Sequence, residues 1–287
     1  MEFPPSELVL NDKGQVYHLG LSPSQLADTV LLVGDQDRVS MISSFFESIE
    51  HRSQHREFVC HTGIYRGKRI SALSTGIGTD NIDITINELD ALVNIDLQSR
   101  KEKVHKKSLN LIRIGTCGIL QPEIPVHSFI LSTHALGLDN VAHFYEVGFT
   151  DEEGMILSDF NDQTNLPSDI RPYVVTADQE LTNTLVSTRT HEGITVTSSG
   201  FYGPQGRQLR LKAYSADLNE QLTKFRSGER VVTNFEMESS TLFALGRALG
   251  HRCATICLGV ANRPKQEFSK GYSSEMLSLI QYVLDRV

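Results

Sequence analysis

Two carboxylates, Glu236 and Glu238, lie at the junction of a predicted strand and a predicted helix. An apolar run at 231–232 favours the strand, and leucines at helical spacing favour a helix that ends at Gly250. In α/β proteins such junctions lie at the edge of the sheet, where ligands bind. A plain helix start is the alternative, because acidic residues in the first turn favour the helix dipole. That alternative accounts well for one of the two carboxylates and less well for the presence of both.

Two turns combine glycine with arginine after separate predicted strands. The strand at 30–33 ends in Gly34 and is followed by Arg38, while another strand carries Arg113 and leads to Thr116. A strand, a glycine turn and a helix N-terminus form an anion site, and the planar arginine fork suits phosphate. The two turns are therefore expected to converge on one anion. An ordinary turn with a solvated arginine is the alternative for the first of them.

The loop from 201 to 207 combines Phe201, Gln205 and Arg207. An aromatic ring, an amide and a guanidinium can stack on a planar heterocycle and form hydrogen bonds with its edge. The alternative is a turn whose phenylalanine fills the core. His18, in a short apolar segment, is by itself most simply a packed surface histidine.

A Gly-x-Gly sequence at Gly76 and Gly78 follows a predicted strand, which raises the question of a dinucleotide site. The third glycine of that pattern is absent, and Asn81 stands in its place. We therefore reject a dinucleotide cofactor and expect close glycine-assisted packing near a ligand.

The composition bounds the class of protein. The chain has 287 residues, of which 39% are hydrophobic and 22% charged, as in an ordinary globular protein. Its formal net charge of −8 argues against nucleic acid or a membrane surface as a general partner. The N-terminal sequence lacks the layout of a signal peptide, and the four cysteines show no paired CxxC pattern. A cytoplasmic location is the simplest expectation.

Strands and helices alternate along the chain without repeats or a linker, which predicts a single α/β domain over 1–287. Residues 1–15 are expected to form a loose arm, and the polar stretch 151–172 a surface excursion. A strand is predicted at 123–131 and a helix at 176–191.

Eight blocks in a fixed order resemble the nucleoside phosphorylase family, and in particular its uridine phosphorylase type. The blocks are HLGL at 18–21, GDQDRV at 34–39, SQHREF at 53–58, STGIG at 74–78, RIGTCG at 113–118, FYGPQGR at 201–207, NFEMES at 234–239 and VANR at 260–263. The resemblance implies a three-layer α/β/α fold on a mixed, strongly twisted sheet. It also implies reversible phosphorolysis of a nucleoside to a free base and ribose 1-phosphate.

The resemblance also implies roles for individual residues. The residues implied are Gly34, Arg38, Arg113 and Thr116 for phosphate, with Arg56 from a neighbouring subunit; Met237 and Glu238 for ribose, with His18 from the neighbour; and Phe201, Gln205 and Arg207 for the base. Of these, Arg113, Arg207 and Glu238 are expected to act on the reacting centre. No metal or organic cofactor is needed for the bond change, and phosphate is the co-substrate.

The choice of base rests on two features. Gln205 and Arg207 suit a pyrimidine edge, which carries carbonyls and an N–H group. Purine-cleaving relatives place an aspartate after the last long strand, whereas 260–263 holds no acid. Uridine is therefore the expected substrate, and preference among uridine, deoxyuridine and thymidine stays open.

One departure from the family pattern concerns potassium. Relatives form an intersubunit potassium site from an acid at the position of Glu57 and a Gly-Pro-Ser segment. Here that segment is Thr79-Asp80-Asn81, and this difference argues against assigning the potassium site to this chain from the resemblance.

Three alternatives compete with uridine phosphorolysis: a purine nucleoside phosphorylase, a nucleosidase of the same fold that uses water, and a catalytically idle nucleoside-binding relative. The arginines Arg38, Arg56 and Arg113 argue against the nucleosidase, because three converging cations suit a phosphate dianion.

A homo-oligomer is expected, with a dimer as the smallest active unit and a hexamer as the larger possibility.

Overall fold

Strands and helices alternate along most of the chain. The computed structural model describes residues 2–287, with these strands: β1 Thr29–Val33, β2 Ser48–His55, β3 Phe58–Tyr65, β4 Lys68–Ser74, β5 Ile95–Asp96, β6 Lys101–Glu102, β7 Asn110–Ile119, β8 Phe129–Gly137, β9 Tyr173–Thr176, β10 Thr190–Thr197, β11 Arg226–Ser227, β12 Arg230–Glu236, β13 Arg252–Asn262 and β14 Glu267–Phe268. The helices are α1 Gln36–Ser43, α2 Thr79–Asn94, α3 Asp151–Gln163, α4 Gln179–Leu185, α5 Leu218–Lys224, α6 Ser239–Ala248 and α7 Ser273–Leu284. Within the described residues, no helix is long and apolar enough to cross a membrane.

The central sheet is mixed and partly closed. Its strands follow the order β11-β12-β10-β8-β13-β7-β1-β4-β3-β2, with β9 on β8 and β14 on β13. Strand β12 also pairs with β7, so β7, β13, β8, β10 and β12 form a ring. Register shifts interrupt β10 and β13 within this ring. Such irregularities bend strands, which is what closure of a sheet requires.

Side chains of β1 alternate between two layers of helices. Val30 and Leu32 belong to a hydrophobic cluster that includes α2 and α6. Leu31 and Val33 belong to a second cluster that includes α1 and α7. Because successive side chains of a strand point to opposite faces, a strand buried on both faces must lie between helix layers. This arrangement confirms the three-layer α/β/α fold.

The stretch predicted as a surface excursion begins with a helix. Helix α3 starts after Thr150, whose hydroxyl accepts a hydrogen bond from Glu153 N and caps the helix. Ile156 and Phe160, four residues apart, are buried in a third cluster with α5 and β12. Residues 151–163 therefore pack on the sheet instead of forming an irregular surface segment.

Two element predictions are wrong. The strand expected at 123–131 begins only at Phe129, because Pro122 and Pro125 fall in the segment before it and proline cannot donate to a sheet ladder. The helix expected at 176–191 is limited to α4, with β9 ending before it and β10 starting after it. Asp178 caps α4 by accepting from Leu181 N, which fixes its start.

The N-terminal arm is docked on the body of the protein. Phe3 N donates to Arg100 O at 2.8 Å, and Arg100 donates through its guanidinium to Leu8 O. Leu8 is buried in the cluster that contains α2. The arm is therefore attached to the body by these contacts, with Leu8 in the core and most of its other residues exposed, in contrast to the loose segment expected.

Candidate active site

One cavity of about 870 Å³ opens where β1, β4, β7 and β12 end or are followed by turns. Its lining includes nine of the eleven predicted site residues: Gly34, Arg38, Arg113, Thr116, Phe201, Gln205, Arg207, Met237 and Glu238. The other two, His18 and Arg56, lie outside the lining. The sheet thus gathers residues from separate turns at one edge, where α/β proteins bind ligands.

Two buried guanidinium groups lie at one end of the cavity. Arg38 Nη1 donates to Ile114 O at 3.2 Å, and burial together with the charge of Arg113 lowers the pKa of Arg38. The Arg113 side chain passes Gly115, where a Cβ atom would lie 3.0 Å from Arg113 Nη2 and 2.8 Å from Cys257 Sγ. Glycine at 115 therefore makes room for the guanidinium. The two arginines meet, as the sequence predicts, but 113–118 is continuous strand within β7 instead of the predicted glycine turn.

Arg113 is held between the two junction carboxylates. Its Nε donates to Glu236 Oε2 at 3.2 Å, and its Nη2 donates to Glu238 Oε2. Burial opposes the charge of Arg113, but Glu238 and Glu236 outweigh it and raise the pKa. Its Nη1 is buried and has no hydrogen-bond partner within residues 2–287. A buried unpaired donor is costly, so Nη1 marks a position for an acceptor from a ligand.

Glu236 is fully engaged by the protein. Its carboxylate accepts from Thr197 Oγ1 at 2.6 Å and from the backbone N–H groups of Glu238 and Ser239, each at 3.0 Å to Oε2. Together with Arg113 these donors occupy the group. The helix-start interpretation therefore fits Glu236, which orients Arg113.

Glu238 lies at the cavity. Its Oε1 accepts from Gly78 N at 3.0 Å and its Oε2 from Met237 N at 3.2 Å. Burial raises the pKa of Glu238 to about 7, with Arg113 opposing the shift and Glu236 adding to it. Glu238 therefore titrates near neutral pH in a site where it can exchange hydrogen bonds with a ligand.

The opposite end of the cavity is formed by the loop that carries Gln205. This side chain is buried at the end of a short 3-10 turn, Gly203–Gln205. Arg207 Nη1 donates to Phe201 O at 2.6 Å and also to Gln205 Oε1, and the Arg207 guanidinium lies 3.7 Å from the Phe201 ring centroid. Burial lowers the pKa of Arg207. Phe201 is 48% exposed, so it does not fill the core.

Arg263 is a candidate site residue that the sequence analysis did not single out. A Cβ at Gly118 would lie 3.2 Å from Arg263 Cδ and 3.9 Å from Arg207 Nη2, so the two arginines approach the same glycine. Burial and the charge of Arg207 lower the pKa of Arg263 to about 10, and its Nη1 is buried without a partner in the described chain. The signal that the sequence offered for Arg263 was a basic residue directly after a long predicted strand.

The Gly76–Gly78 turn shows the predicted close packing. Gly76 has φ of 75°, and a Cβ there would lie 2.4 Å from Asn81 Nδ2 and 3.2 Å from Glu57 Cγ. Glycine is therefore required by both backbone conformation and space. Glu57 and Asn81, the positions that the resemblance links with potassium, both line the cavity beside this turn. Their oxygens suit a hard cation, but the replacement of Gly-Pro-Ser by Thr79-Asp80-Asn81 argues against carrying the family's potassium role over to this chain.

His18 and Arg56 lie together on the surface. The ring of His18 meets that of Tyr17 edge-on at 5.0 Å, and the Arg56 guanidinium lies 5.7 Å from the same tyrosine ring. His55 Nδ1 is 2.9 Å from His18 O. Neither side chain lines the cavity of its own chain, although Gln36 and Glu57 beside Arg56 do.

The comparisons with known proteins agree with this geometry. The model of the phosphorylase superfamily matches residues 28–283. The chain is 32% identical to a uridine phosphorylase of Thermococcus kodakarensis over 284 residues, covering 96% of this chain and 87% of that protein, and 28% identical to the uridine phosphorylase of Escherichia coli over 263 residues, covering 89% of each. A Trypanosoma brucei nucleoside phosphorylase, whose crystal structure is described as showing uridine phosphorylase activity, has a TM-score of 0.87 and 28% identity, covering 98% of this chain and 100% of that one. On the strength of the cavity, the fold and these matches, the chain belongs to the phosphorylase superfamily.

Proposed function

We propose that this chain is a uridine phosphorylase, a pentosyltransferase that converts uridine and phosphate to uracil and ribose 1-phosphate. The observation that carries the proposal is the buried, unpaired Nη1 of Arg113, in the same cavity as Gln205 and Arg207. One end of the cavity thus offers donors to an anion, and the other offers an amide and a guanidinium to a base.

Phosphate is both the nucleophile and a charge stabiliser in this reaction. In our proposal it binds between Arg38 and Arg113, with Gly34 N and Thr116 completing the site. Cleavage of the glycosidic bond builds positive charge on the ribose ring, which the phosphate anion stabilises. A phosphate oxygen then forms the new bond to C1′ as the bond to the base breaks.

Glu238 and the 201–207 loop hold the two halves of the nucleoside. Glu238 accepts from the ribose hydroxyls and Met237 packs on the sugar, which fixes C1′ near the phosphate. The electron pair of the broken bond passes to the uracil ring as negative charge, and N1 takes up a proton from water as uracil is released. Gln205 and Arg207 stabilise this charge, and Phe201 stacks near the base.

The charge balance of the phosphate end supports a contribution from a second subunit. Within one chain, the charge of Arg113 is offset by the carboxylates of Glu236 and Glu238, and that of Arg38 is opposed by Asp35. A phosphate dianion therefore needs a further cation. Arg56 of a neighbouring subunit supplies it in our proposal, and His18 of that neighbour contacts the ribose 5′-hydroxyl. The smallest active unit is then a homodimer.

Uridine is favoured over purine nucleosides by the end of β13. Asn262 Nδ2 donates to Gln121 O and Ile124 O, so this amide is used within the fold. The segment from Val260 to Arg263 offers no acid that could protonate a purine. The presence of Arg38, Arg113 and Glu238 in one chain argues against a catalytically idle relative.

The proposed compartment is the cytoplasm. The four cysteines are free and buried, which suits a reducing environment.

The test is release of free base from uridine and from inosine, each with and without phosphate. We expect uracil release that requires phosphate. Cleavage of inosine alone would transfer the assignment to purine nucleosides, and release without phosphate would indicate a nucleosidase. If neither base were released, the chain would be an idle relative.

A further inference from the structure

One carboxylate on α2 holds the segment that carries His18. Glu88 accepts from His18 N at 2.9 and 3.0 Å and from Leu19 N at 2.8 Å, while its Oε1 lies 2.6 Å from His18 Nδ1. Two successive backbone N–H groups and the attached imidazole ring therefore converge on a single side chain. This carboxylate has no assigned part in the reaction described above.

The contact with Glu88 determines which ring nitrogen of His18 is free. An ionised carboxylate only accepts hydrogen bonds, so Nδ1 carries the proton that lies between the two groups. His18 Nε2 takes part in no hydrogen bond within residues 2–287 and is the nitrogen left for a ligand. The ring is also confined by its edge-on contact with Tyr17 and by the bond between His55 Nδ1 and His18 O.

The helix that carries Glu88 also reaches the ribose end of the cavity. Gly78, immediately before α2, donates its backbone N–H to Glu238 at 3.0 Å. One rigid helix thus positions a ribose-binding carboxylate of its own site and a histidine at the face toward a neighbour. A rigid support of this kind is what precise placement of a side chain requires.

We propose that Glu88 is a positioning residue that fixes the ring of His18 for a hydrogen bond between Nε2 and the 5′-hydroxyl of uridine bound to the neighbouring subunit. The proposal rests on the proposed function. It assigns Glu88 an effect on substrates that carry a 5′-hydroxyl and none on substrates that lack it.

The experiment compares kcat/KM for uridine and for 5′-deoxyuridine in the wild type, His18→Ala, Glu88→Ala and Glu88→Gln. We expect Glu88→Ala to lower kcat/KM for uridine about tenfold, mainly through KM, and to leave 5′-deoxyuridine within about twofold of the wild type. In Glu88→Gln the amide oxygen can still accept from the backbone, so this variant preserves the segment if Glu88→Ala does not fold. The double variant of His18 and Glu88 should lose no more than His18→Ala alone.

The outcomes separate the two proposals. An equal loss on both substrates in the Glu88 variants would overturn the positioning role and leave a structural one. If His18→Ala itself showed no preference between the substrates, the role of His18 in the proposed function would fail. If His18→Ala discriminated but neither Glu88 variant did, the function would stand and the inference about Glu88 would fall.

Discussion

Arg113 contacts both carboxylates of the strand–helix junction, so the phosphate and ribose ends of the cavity share one network. The residue types and the turn at Gly34 were predictable from the sequence because these patterns are local, whereas the turn expected at 113–118 is part of strand β7. The contacts of Glu238 with Arg113 and with Gly78 were not predictable. Arg113 and Glu238 are 125 positions apart and Gly78 and Glu238 are 160 apart, and only the order of strands in the sheet brings them together.

The two phosphate arginines should differ in their effect on stability. Arg38→Ala is expected to abolish most phosphorolysis while the protein stays folded, because Arg38 donates only to a backbone carbonyl. Arg113→Ala leaves two buried carboxylates without their cation, so it should also lower the free energy of unfolding by about 3–5 kcal/mol. Urea titrations beside phosphate-dependent uracil release make the comparison. Near-normal turnover in Arg38→Ala would contradict the phosphate assignment.

Arg207→Ala should lower kcat/KM for uridine by about a hundredfold or more, because one preorganised donor to the developing charge on the base is lost. Arg210→Ala, on the exposed part of the same loop, removes the same charge and is the matched control. Steady-state kinetics of both variants check this. Equal effects of the two substitutions would show that loop charge, and not contact with the base, is what matters.

Glu238 should make stability depend on pH. Its pKa is raised from 4.5 to about 7, so between these values the unfolded chain has lost a proton that the folded chain retains. The stability that this group contributes is present below pH 4.5 and is lost as pH rises through about 7. The free energy of unfolding of the wild type, relative to Glu238→Gln at equal protein concentration, should therefore fall from about pH 5 to about pH 8. A difference that stays constant would contradict the shift.

At the scale of elements, α6 places Glu238 and is itself anchored at its first turn. Asp139 accepts from Ser240 Oγ at 2.6 Å, from Thr241 Oγ1 at 3.2 Å and from the Tyr173 hydroxyl at 2.9 Å. These bonds join the start of the helix to the loop after β8 and to β9. The helix itself follows from its leucine spacing, but its anchor does not, because a lone aspartate in a loop carries no local signal.

Asp139→Ala should weaken both stability and activity. It leaves the hydroxyls of Ser240 and Thr241 without this acceptor, which costs about 1–3 kcal/mol for each group, and it frees the first turn of α6, while Tyr173 can still donate to Ser240 Oγ. The KM for uridine is therefore expected to rise while the arginine sites stay intact. Thermal unfolding and uridine kinetics measure the two effects, with Asp159→Ala as a control, since Asp159 accepts from Ser227 Oγ far from α6. A loss of stability with unchanged KM would show that α6 does not depend on this anchor.

The elements that sequence patterns misplaced have physical reasons. Prolines delay β8, and caps at Thr150 and Asp178 start α3 and α4 at positions that periodicity alone did not indicate. The helical spacing of Ile156 and Phe160, which are both buried in α3, was a usable sequence signal, but the surrounding acidic residues obscured it.

At the scale of the whole molecule, the proposed mechanism requires that two chains contribute residues to each site. His18 and Arg56 lie outside the cavity of their own chain. The blocks that carry them are recognisable in the sequence, but which chain they serve depends on an assembly that a single chain does not describe.

Mixing of inactive variants tests this requirement. Arg38→Ala and Arg56→Ala should each be nearly inactive alone, yet co-expressed chains should form heterodimers with one intact site. Random pairing restores about a quarter of wild-type activity, because half of the dimers are mixed and each has one intact site of two. Co-expression of Arg38→Ala with Arg113→Ala, two residues of the same chain's site, is the control and should restore nothing. The absence of any recovery in the first mixture would place Arg56 in its own chain's site, whereas full activity of Arg56→Ala alone would place Arg56 outside the reaction.

The most direct test of phosphorolysis follows both products of one reaction. Uridine and inorganic phosphate are incubated with the purified protein, uracil is measured by its absorbance, and the phosphorus species are measured by ³¹P NMR. We expect ribose 1-phosphate to appear in equal amount with uracil and inorganic phosphate to fall by the same amount. Uracil accompanied by free ribose, with phosphate unchanged, would contradict the account and make the enzyme a hydrolase.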